Sequence, residues 1–273
     1  MQIPYIDKIG EEKTLTIYED TKVVDLSARL LESVDLQNVS ACQELLKVDI
    51  SENMTREIDL TPLASCSSLK ELNLGFNLIS KIDLHPIGKI ESLETLKLNN
   101  NALANIDLQP LGNCTNISEI VLNENRLSLL DLSPLSSCNK LTYLRLDSNE
   151  LGSLDLDPLS SCDNLEELYL ERNPLLEIDM NVVSSIENIK GLWLRSTNLS
   201  ELEVGPLNKC KQLRWLDISE NQLEQISVDS LIELNSLELI LIDESVKLVG
   251  SSGNESRISS PGLEKLREKI QWN

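Results

Sequence analysis

The stretch Leu93–Asn116, LETLKLNNNALANIDLQPLGNCTN, decides the fold because it is one copy of a pattern that recurs every 24 residues. We number the repeats one to ten; they start at Thr21, Leu45, Leu69, Leu93, Ile117, Leu141, Leu165, Ile189, Leu213 and Leu237. The fourth and sixth positions are aliphatic in all ten repeats, as in one side of a short strand. A lone strand cannot bury that side, so consecutive repeats are predicted to stack and to pair their strands in a continuous parallel sheet.

The core of the pattern, LxxLxLxxNxL, resembles the leucine-rich repeat, whose units run from about 20 to 29 residues. The resemblance implies an α/β solenoid of horseshoe shape with a concave parallel sheet and with short strands and helical turns on the convex side. It covers residues 21–249, and the last repeat is incomplete. Residues 1–20 are expected to form a cap with a strand or hairpin. Residues 250–273 are expected to form a loop and then a helix from Pro261, which either caps the array or binds a partner.

Two polar positions of the repeat predict hydrogen bonds. Asn at the ninth position can satisfy buried backbone groups where the chain leaves the strand. It is present as Asn53, Asn77, Asn101, Asn125, Asn149, Asn173 and Asn221. Arg29, Thr197 and Ser245 replace it in repeats one, eight and ten, and Thr197 puts the geometry of an internal turn in question. At the seventeenth position, residues such as Thr61 and Ser133 predict helix N-caps, with Pro at the first helical position.

The chain is strongly acidic, with 45 acidic and 24 basic side chains and a formal net charge of −21. This charge repels nucleic acid and anionic membranes, so we expect neither as a partner. All cysteines occupy the twenty-second position, where other repeats have Ile or Leu, which predicts buried thiols and not disulfides or metal ligands. They are Cys42, Cys66, Cys114, Cys138, Cys162 and Cys210. Free thiols and an N-terminus without an export signal predict a cytoplasmic protein.

An acidic column at the fifteenth position has two interpretations. It consists of Asp35, Asp59, Asp83, Asp107, Asp131, Asp155, Asp179 and Glu203. These carboxylates either accept hydrogen bonds from the backbone of the following turn, which we favour, or bridge divalent cations. The only histidine, His85, is placed on the convex side without a nucleophile beside it. With no phosphate loop or metal-ligand spacing, the sequence predicts neither an enzyme nor a bound cofactor.

Aromatic and arginine residues gather on the predicted concave face, at positions two, three, five and eight and at the adjoining seventh position. The candidate partner-binding residues are Tyr143, Arg145, Tyr169, Arg172, Trp193, Arg195, Arg214 and Trp215. Trp, Tyr and Arg are the side chains that dominate the energetics of protein interfaces. Gly191 is expected to leave a hollow beside Trp193. The alternative is that the rings merely stack on one another and on arginine stems.

These patterns favour a non-catalytic module that binds a protein partner on its concave face and is itself a monomer. One alternative is a regulatory subunit of an enzyme, of the GTPase-activating or phosphatase-targeting type, in which an arginine enters the site of the partner. Another is a purely structural or self-assembling array that associates through poorly capped ends.

Overall fold

Ten strands, one from each repeat in chain order, form a continuous parallel sheet in the computed structural model, which describes residues 1–273. They are β3 (Val23–Asp25), β5 (Lys47–Asp49), β6 (Glu71–Asn73), β7 (Thr95–Lys97), β8 (Glu119–Val121), β9 (Tyr143–Arg145), β10 (Glu167–Tyr169), β11 (Gly191–Trp193), β12 (Trp215–Asp217) and β14 (Leu239–Leu241). Each strand pairs with the same three positions of the next repeat. The predicted solenoid with a concave parallel sheet is confirmed.

A single hydrophobic core runs along the inside of the array. Leu96 and Leu98, at the fourth and sixth positions, are fully buried, and their equivalents in the other repeats lie in the same core. Truncating one such leucine to alanine typically costs about 2–5 kcal/mol of stability. The six cysteines lie in this core as free thiols. Burial raises the pKa of the Cys138 thiol to about 12, so this sulfur stays protonated and unreactive at neutral pH.

The convex side is made of single helical turns. Seven are 3-10 helices, and repeat seven has the short helix α1 (Met180–Val183) instead. The 3-10 helices are Gln37–Ala41, Thr61–Ser65, Ile87–Lys89, Gln109–Asn113, Ser133–Ser137, Asp157–Ser161 and Gly205–Lys209.

The prediction that the seventeenth position caps these helices was wrong. Thr61 is already the first helical residue, and its backbone N–H donates to the Asp59 carboxylate at 2.8 Å. The same bond forms in all eight repeats of the acidic column. A carboxylate two residues earlier in the chain can satisfy this backbone donor without a cap from the seventeenth residue. The column therefore has the hydrogen-bonding role that we favoured.

Convex strands form only at the two ends of the array. They are β4 (Leu31–Val34), β13 (Gln225–Ser227) and β15 (Lys247–Gly250). At the N-terminus, β1 (Gln2–Asp7) and β2 (Glu12–Thr16) form an antiparallel hairpin, and β1 also pairs with β4. This hairpin closes the first repeat and buries Ile3.

The C-terminal segment is less helical than predicted. A 3-10 turn at Glu255–Arg257 precedes α2 (Pro261–Glu264), which begins where expected but has only four residues. A second 3-10 turn, Arg267–Lys269, leads into β16 (Ile270–Trp272), which pairs in parallel with β15. The open edge of β15 thus receives a strand, and that pairing overrides the helical spacing of apolar residues. No helix in the molecule is long and apolar enough to span a membrane.

The ninth-position asparagines tie each repeat to the one before it. The Asn149 side chain donates to the backbone oxygens of Leu122 (3.1 Å) and Leu146 (2.9 Å) and accepts from the Leu127 N–H (3.0 Å). Leu122 and Leu127 belong to the preceding repeat, so a single amide satisfies two backbone groups there as well as one in its own repeat.

Thr197 interrupts this ladder between repeats seven and eight. Its hydroxyl donates to Leu194 O (2.7 Å) in its own repeat and does not reach back. The Leu175 N–H of repeat seven turns instead to Asn173 O at 2.8 Å. Asn198 adopts a left-handed φ of 61°, as Leu30 does (58°) in repeat one, which also lacks the asparagine. The doubt that the sequence raised about this turn is thus resolved by a local rearrangement of the backbone.

Candidate functional site

Four aromatic side chains from consecutive strands lie on the concave sheet, and three of their rings stack in a row; we call the four residues the aromatic strip. Tyr143 and Tyr169 have ring centroids 5.2 Å apart at an angle of 48°. Tyr169 and Trp193 are stacked at 5.5 Å and 9°. Trp215 stands on β12, in register with Gly191 of β11. All four side chains are half-buried, so the strip lies on the sheet and keeps one side toward solvent.

Stacking among three of these rings matches the alternative interpretation of the sequence, and it leaves the four side chains half-buried and open to solvent on one side. The Arg145 guanidinium lies 5.4 Å from the Tyr169 ring centroid, and that of Arg214 lies 4.6 Å from the Trp215 ring centroid. Such contacts hold the rings in one arrangement before any partner arrives. Ordered side chains lose less conformational entropy on association.

Three of the four candidate arginines are paired with carboxylates of the same chain. The pairs are Arg145–Asp147 (2.6 Å), Arg195–Glu220 and Arg214–Glu238 (2.8 Å). Arg172 differs, because it is exposed and forms neither an ion pair nor a side-chain hydrogen bond. Its backbone has a left-handed φ of 52°, as the eighth position has in repeats one to nine. The arginines therefore include three neutralised side chains and one free cation.

Gly191 does not leave the hollow that we expected beside Trp193. The Trp193 indole N–H donates to the Glu167 carboxylate at 3.2 Å, and this bond passes through the space above Gly191. A Cβ on Gly191 would overlap the Glu167 carboxylate and lie 2.9 Å from Trp193 Nε1. The glycine is therefore needed to let a polar contact form across neighbouring repeats.

Three carboxylates of the concave face lie among the aromatic and basic residues and were not predicted from the sequence. Asp147 and Asp217 are buried, and Glu171 is half-buried. Burial raises the pKa of Glu171 to about 7, the charges of Asp147 and Asp217 add to this rise, and Arg145 and Arg172 oppose it. Their fifth and seventh positions in the repeat were the signal that could have found them.

Two leucines at the end of the sheet were also missed. Leu239 pairs in register with Trp215, and Leu241 pairs with Asp217. Leu241 is exposed, and Leu239 is half-buried. They occupy the third and fifth positions of repeat ten, the positions that carry the aromatic residues in repeats six to nine, so the repeat numbering places them beside the strip. The apolar surface therefore extends to the last strand.

The concave face of repeats two to five is polar by comparison. A depression of about 510 Å³ lies there, with Tyr143 and Arg145 at one end. Amide side chains line much of it, namely those of Asn73, Asn99, Asn100 and Asn123. Lys97 and Glu119 form an ion pair of 3.1 Å on neighbouring strands. This half of the face offers hydrogen bonds and charge, and its only exposed ring is that of Phe76.

His85 lies on the convex side, as the repeat numbering predicts. Its Nδ1 is 2.7 Å from the Asp83 carboxylate, and both side chains are exposed. The pair belongs to the turn at the acidic column and lies on the face opposite the aromatic strip.

Comparison with known proteins agrees with this architecture. A model described as leucine rich repeat matches residues 43–103, 115–175 and 187–244, more than half of the chain. The fold is similar to that of an internalin from Listeria monocytogenes, with a TM-score of 0.62 and 21% identity over 88% of this chain and 78% of that one. A leucine-rich-repeat protein from Leptospira interrogans gives a TM-score of 0.61 and 17% identity over 87% and 74% of the two chains.

A plant peptide hormone receptor, RGFR1, solved in complex with RGF2, gives a TM-score of 0.70 and 23% identity. That similarity covers 86% of this chain and 36% of the receptor. No curated protein matches the sequence. At these identities, the solved structures establish the fold alone.

Proposed function

The chain belongs to the leucine-rich repeat family, and from that premise we propose that it is a protein-interaction module whose partner docks on the concave face of repeats six to ten. The family and its fold typically serve interaction and not catalysis. The observation that supports this location is the aromatic strip, continued by Leu239 and Leu241 to the end of the sheet. No other part of the concave face combines rings, arginine stems and exposed aliphatic groups in one surface.

The physical case rests on apolar area that is already ordered. Large aromatic side chains bury much surface on contact and have few rotatable bonds, so they are the commonest anchors of protein interfaces. The strip stands on short strands whose neighbours on both sides are hydrogen-bonded. A partner therefore meets a preformed surface, and little ordering cost opposes the gain from burying it.

The test is a comparison of variants with one captured partner. A protein retained from a cell extract by the wild type is purified and titrated against the single variants Trp193→Ala and Trp215→Ala. We expect each variant to weaken binding about 30-fold or more, which corresponds to a hot-spot loss of about 2 kcal/mol. Lys97→Ala, on the polar half of the same face, is the matched control and should bind as the wild type does.

Folding is checked by far-ultraviolet circular dichroism in every variant. Wild-type affinity in both folded tryptophan variants would contradict the proposal. Equal weakening by Lys97→Ala would move the site toward the polar half.

A second candidate function, regulation of a partner enzyme, is favoured by Arg172 alone. This guanidinium is exposed, unpaired and carried on a turn of the concave rim. An arginine supplied by a regulator can stabilise charge that develops in the transition state of a GTPase. Turnover by a panel of purified GTPases, measured with wild type and with Arg172→Ala, would show stimulation that depends on this residue. Equal rates with both proteins would exclude this candidate for the enzymes in the panel.

We further propose that the protein works in a reducing compartment, the cytoplasm. Its six thiols are buried at one position of the repeat, and burial raises their pKa values. Proteins of oxidising compartments more often use cysteines in disulfides. Alkylation of protein freshly denatured from cells should label six thiols, and fractionation should place it in the cytosol. Protein found only outside the cell would contradict this proposal.

A further inference from the structure

Exposed apolar side chains concentrate in the N-terminal third of the chain, away from the aromatic strip. Of the thirteen large hydrophobic residues that are exposed, ten lie within residues 1–78. Single exposed apolar side chains are ordinary on protein surfaces, whereas a contiguous group marks a contact surface. These exposed apolar residues lie outside the proposed partner site, so that site does not account for them.

Three of these side chains share the tenth position of consecutive repeats. Leu30, Met54 and Leu78 are 44%, 38% and 37% exposed. The Met54 N–H donates to Leu31 O at 2.8 Å and the Leu78 N–H donates to Thr55 O at 3.0 Å, so these positions stack from repeat to repeat. Stacked strands lie about 5 Å apart, so the three residues follow one another in a column across the first three repeats.

The column continues by one residue at each end. On the N-terminal side, the Lys8 N–H donates to Leu30 O at 2.8 Å, and this bond brings the hairpin loop with Ile9 (69% exposed) beside Leu30. On the other side, the tenth position of repeat four is the small Ala102, joined to Ile79 O by its N–H at 2.9 Å. We call these five residues the apolar column: Ile9, Leu30, Met54, Leu78 and Ala102.

The repeat itself does not demand apolar residues here. Beyond Ala102 the tenth position becomes mostly polar, with Arg126, Glu150, Pro174, Asn198 and Gln222 in repeats five to nine. The N–H groups of Arg126, Glu150 and Gln222 donate to the preceding repeat as that of Met54 does, so in those repeats the change is one of surface chemistry. The apolar column is thus a local feature of the first four repeats and the hairpin.

We propose that the apolar column is the contact between two copies of this chain, related by a two-fold axis that passes beside Met54. Two such columns that run in opposite directions place Met54 against Met54 of the second copy and Leu30 against Leu78 of the second copy. The large Ile9 then faces the small Ala102 of the second copy. This match of size is what a two-fold contact requires, because the same patch must complement itself. The dimer goes beyond the proposed function and replaces the expectation of a monomer.

Charges beside the column fit the same arrangement. Repeat one carries an exposed Glu32, and repeat three carries an exposed Lys81. Antiparallel columns bring repeat one of each copy beside repeat three of the other, so that the two charges of opposite sign approach twice. In repeat two, beside the axis, Arg56 and Glu57 are both exposed and offer each copy one charge of each sign. Charge complementarity of this kind favours a second copy over an unrelated partner.

Sedimentation equilibrium of the purified full chain over a range of concentrations tests the proposal. We expect the weight-average mass of the wild type to rise from 30.6 kDa toward twice that value. Met54→Glu should stay at the monomer mass, because two carboxylates would meet at the axis. Leu129→Glu and Leu176→Glu are matched controls, since these leucines are 74% and 71% exposed outside the column, and both variants should associate as the wild type does.

A charge exchange tests the two-fold geometry itself. Glu32→Lys should raise the dissociation constant about tenfold by placing like charges together, and Lys81→Glu should do the same. The double variant restores opposite charges and should recover most of the wild-type affinity. A chain that remains at 30.6 kDa up to its solubility limit, or a folded Met54→Glu variant that associates normally, would overturn the proposal. Because the aromatic strip lies in repeats six to nine, Trp193→Ala should leave this equilibrium unchanged, and failure here would leave the proposed partner site standing.

Discussion

The two halves of the concave sheet have one backbone and two chemistries. In repeats two to five, the outward positions carry amides, carboxylates and lysines, whereas in repeats six to ten they carry the aromatic strip and two leucines. The inward aliphatic positions are the same in both halves. A fixed set of inward residues thus determines the backbone, and the outward positions are free to change. The comparison teaches that a binding surface can be placed on this fold without altering what stabilises it.

The largest expected effect tests whether the ninth-position asparagines stabilise both halves of the array to the same extent. Asn101→Ala in the polar half and Asn149→Ala in the aromatic half each remove an amide that bonds backbone groups of two repeats. Each loss leaves buried backbone groups unpaired, and we expect about 3 kcal/mol of destabilisation in both. Urea unfolding measures it, with Asn99→Ala, on the outward surface, as a near-neutral control. A loss confined to one half would refute the idea of a common scaffold.

Substitution of one glycine in each half compares how tightly the outward side chains are packed there. Gly191→Ala should break the bond between Trp193 and Glu167, since the new methyl group occupies its path. We expect a shift in tryptophan fluorescence and a loss of about 1 kcal/mol of stability. In the polar half, Gly75→Ala places a Cβ 2.6 Å from Asn99 Oδ1 and should displace that half-buried amide without breaking an aromatic contact. Identical fluorescence of Gly191→Ala and the wild type would show that the indole contact is not formed.

A third difference between the two halves concerns pH. Burial and the neighbouring aspartates raise the pKa of Glu171 from 4.5 to about 7, so the folded protein holds a proton that the unfolded chain releases. The folded state then binds more protons between these values, and its stability falls as pH rises from about 5 to 8. Glu171→Gln should remove this slope and be the more stable protein at pH 8.

Urea midpoints measured across this pH range give the comparison for Glu171. Glu119→Gln, in the polar half, is the control and should follow the wild-type profile. Parallel profiles for the wild type and Glu171→Gln would contradict the shifted pKa.

Much of the fold follows from the sequence because its constraints are local and repeated. The aliphatic fourth and sixth positions and the ninth-position asparagines recur at a fixed step, so an error at one repeat is corrected by the others. The same step assigned Trp193 and Trp215 to one surface, and it would have assigned Glu171 and Leu241 had acidic and aliphatic residues been considered. The location of the partner site on this surface stays a prediction.

The failures have physical causes that a repeat pattern does not contain. The apolar spacing of Leu263, Leu266 and Ile270 predicts a helix, but the open edge of β15 offers backbone hydrogen bonds that a strand at Ile270 satisfies. At the convex turns, either the fifteenth or the seventeenth side chain could accept hydrogen bonds from free backbone N–H groups, and the repeat pattern does not say which one does. The pairing of Arg195 with Glu220 joins two repeats and becomes visible only when they are stacked.

Thr197 gives the array a seam. A stack of repeats unfolds as a chain of neighbouring units, and its cooperativity depends on the coupling between each adjacent pair. Without the asparagine bonds, the coupling between repeats seven and eight is weaker than elsewhere, so we expect the two sides to open as separate blocks in hydrogen exchange. The stacked rings of Tyr169 and Trp193 lie on opposite sides of this seam. A partner that contacts both rings would couple the two blocks, so that they unfold together as one cooperative unit.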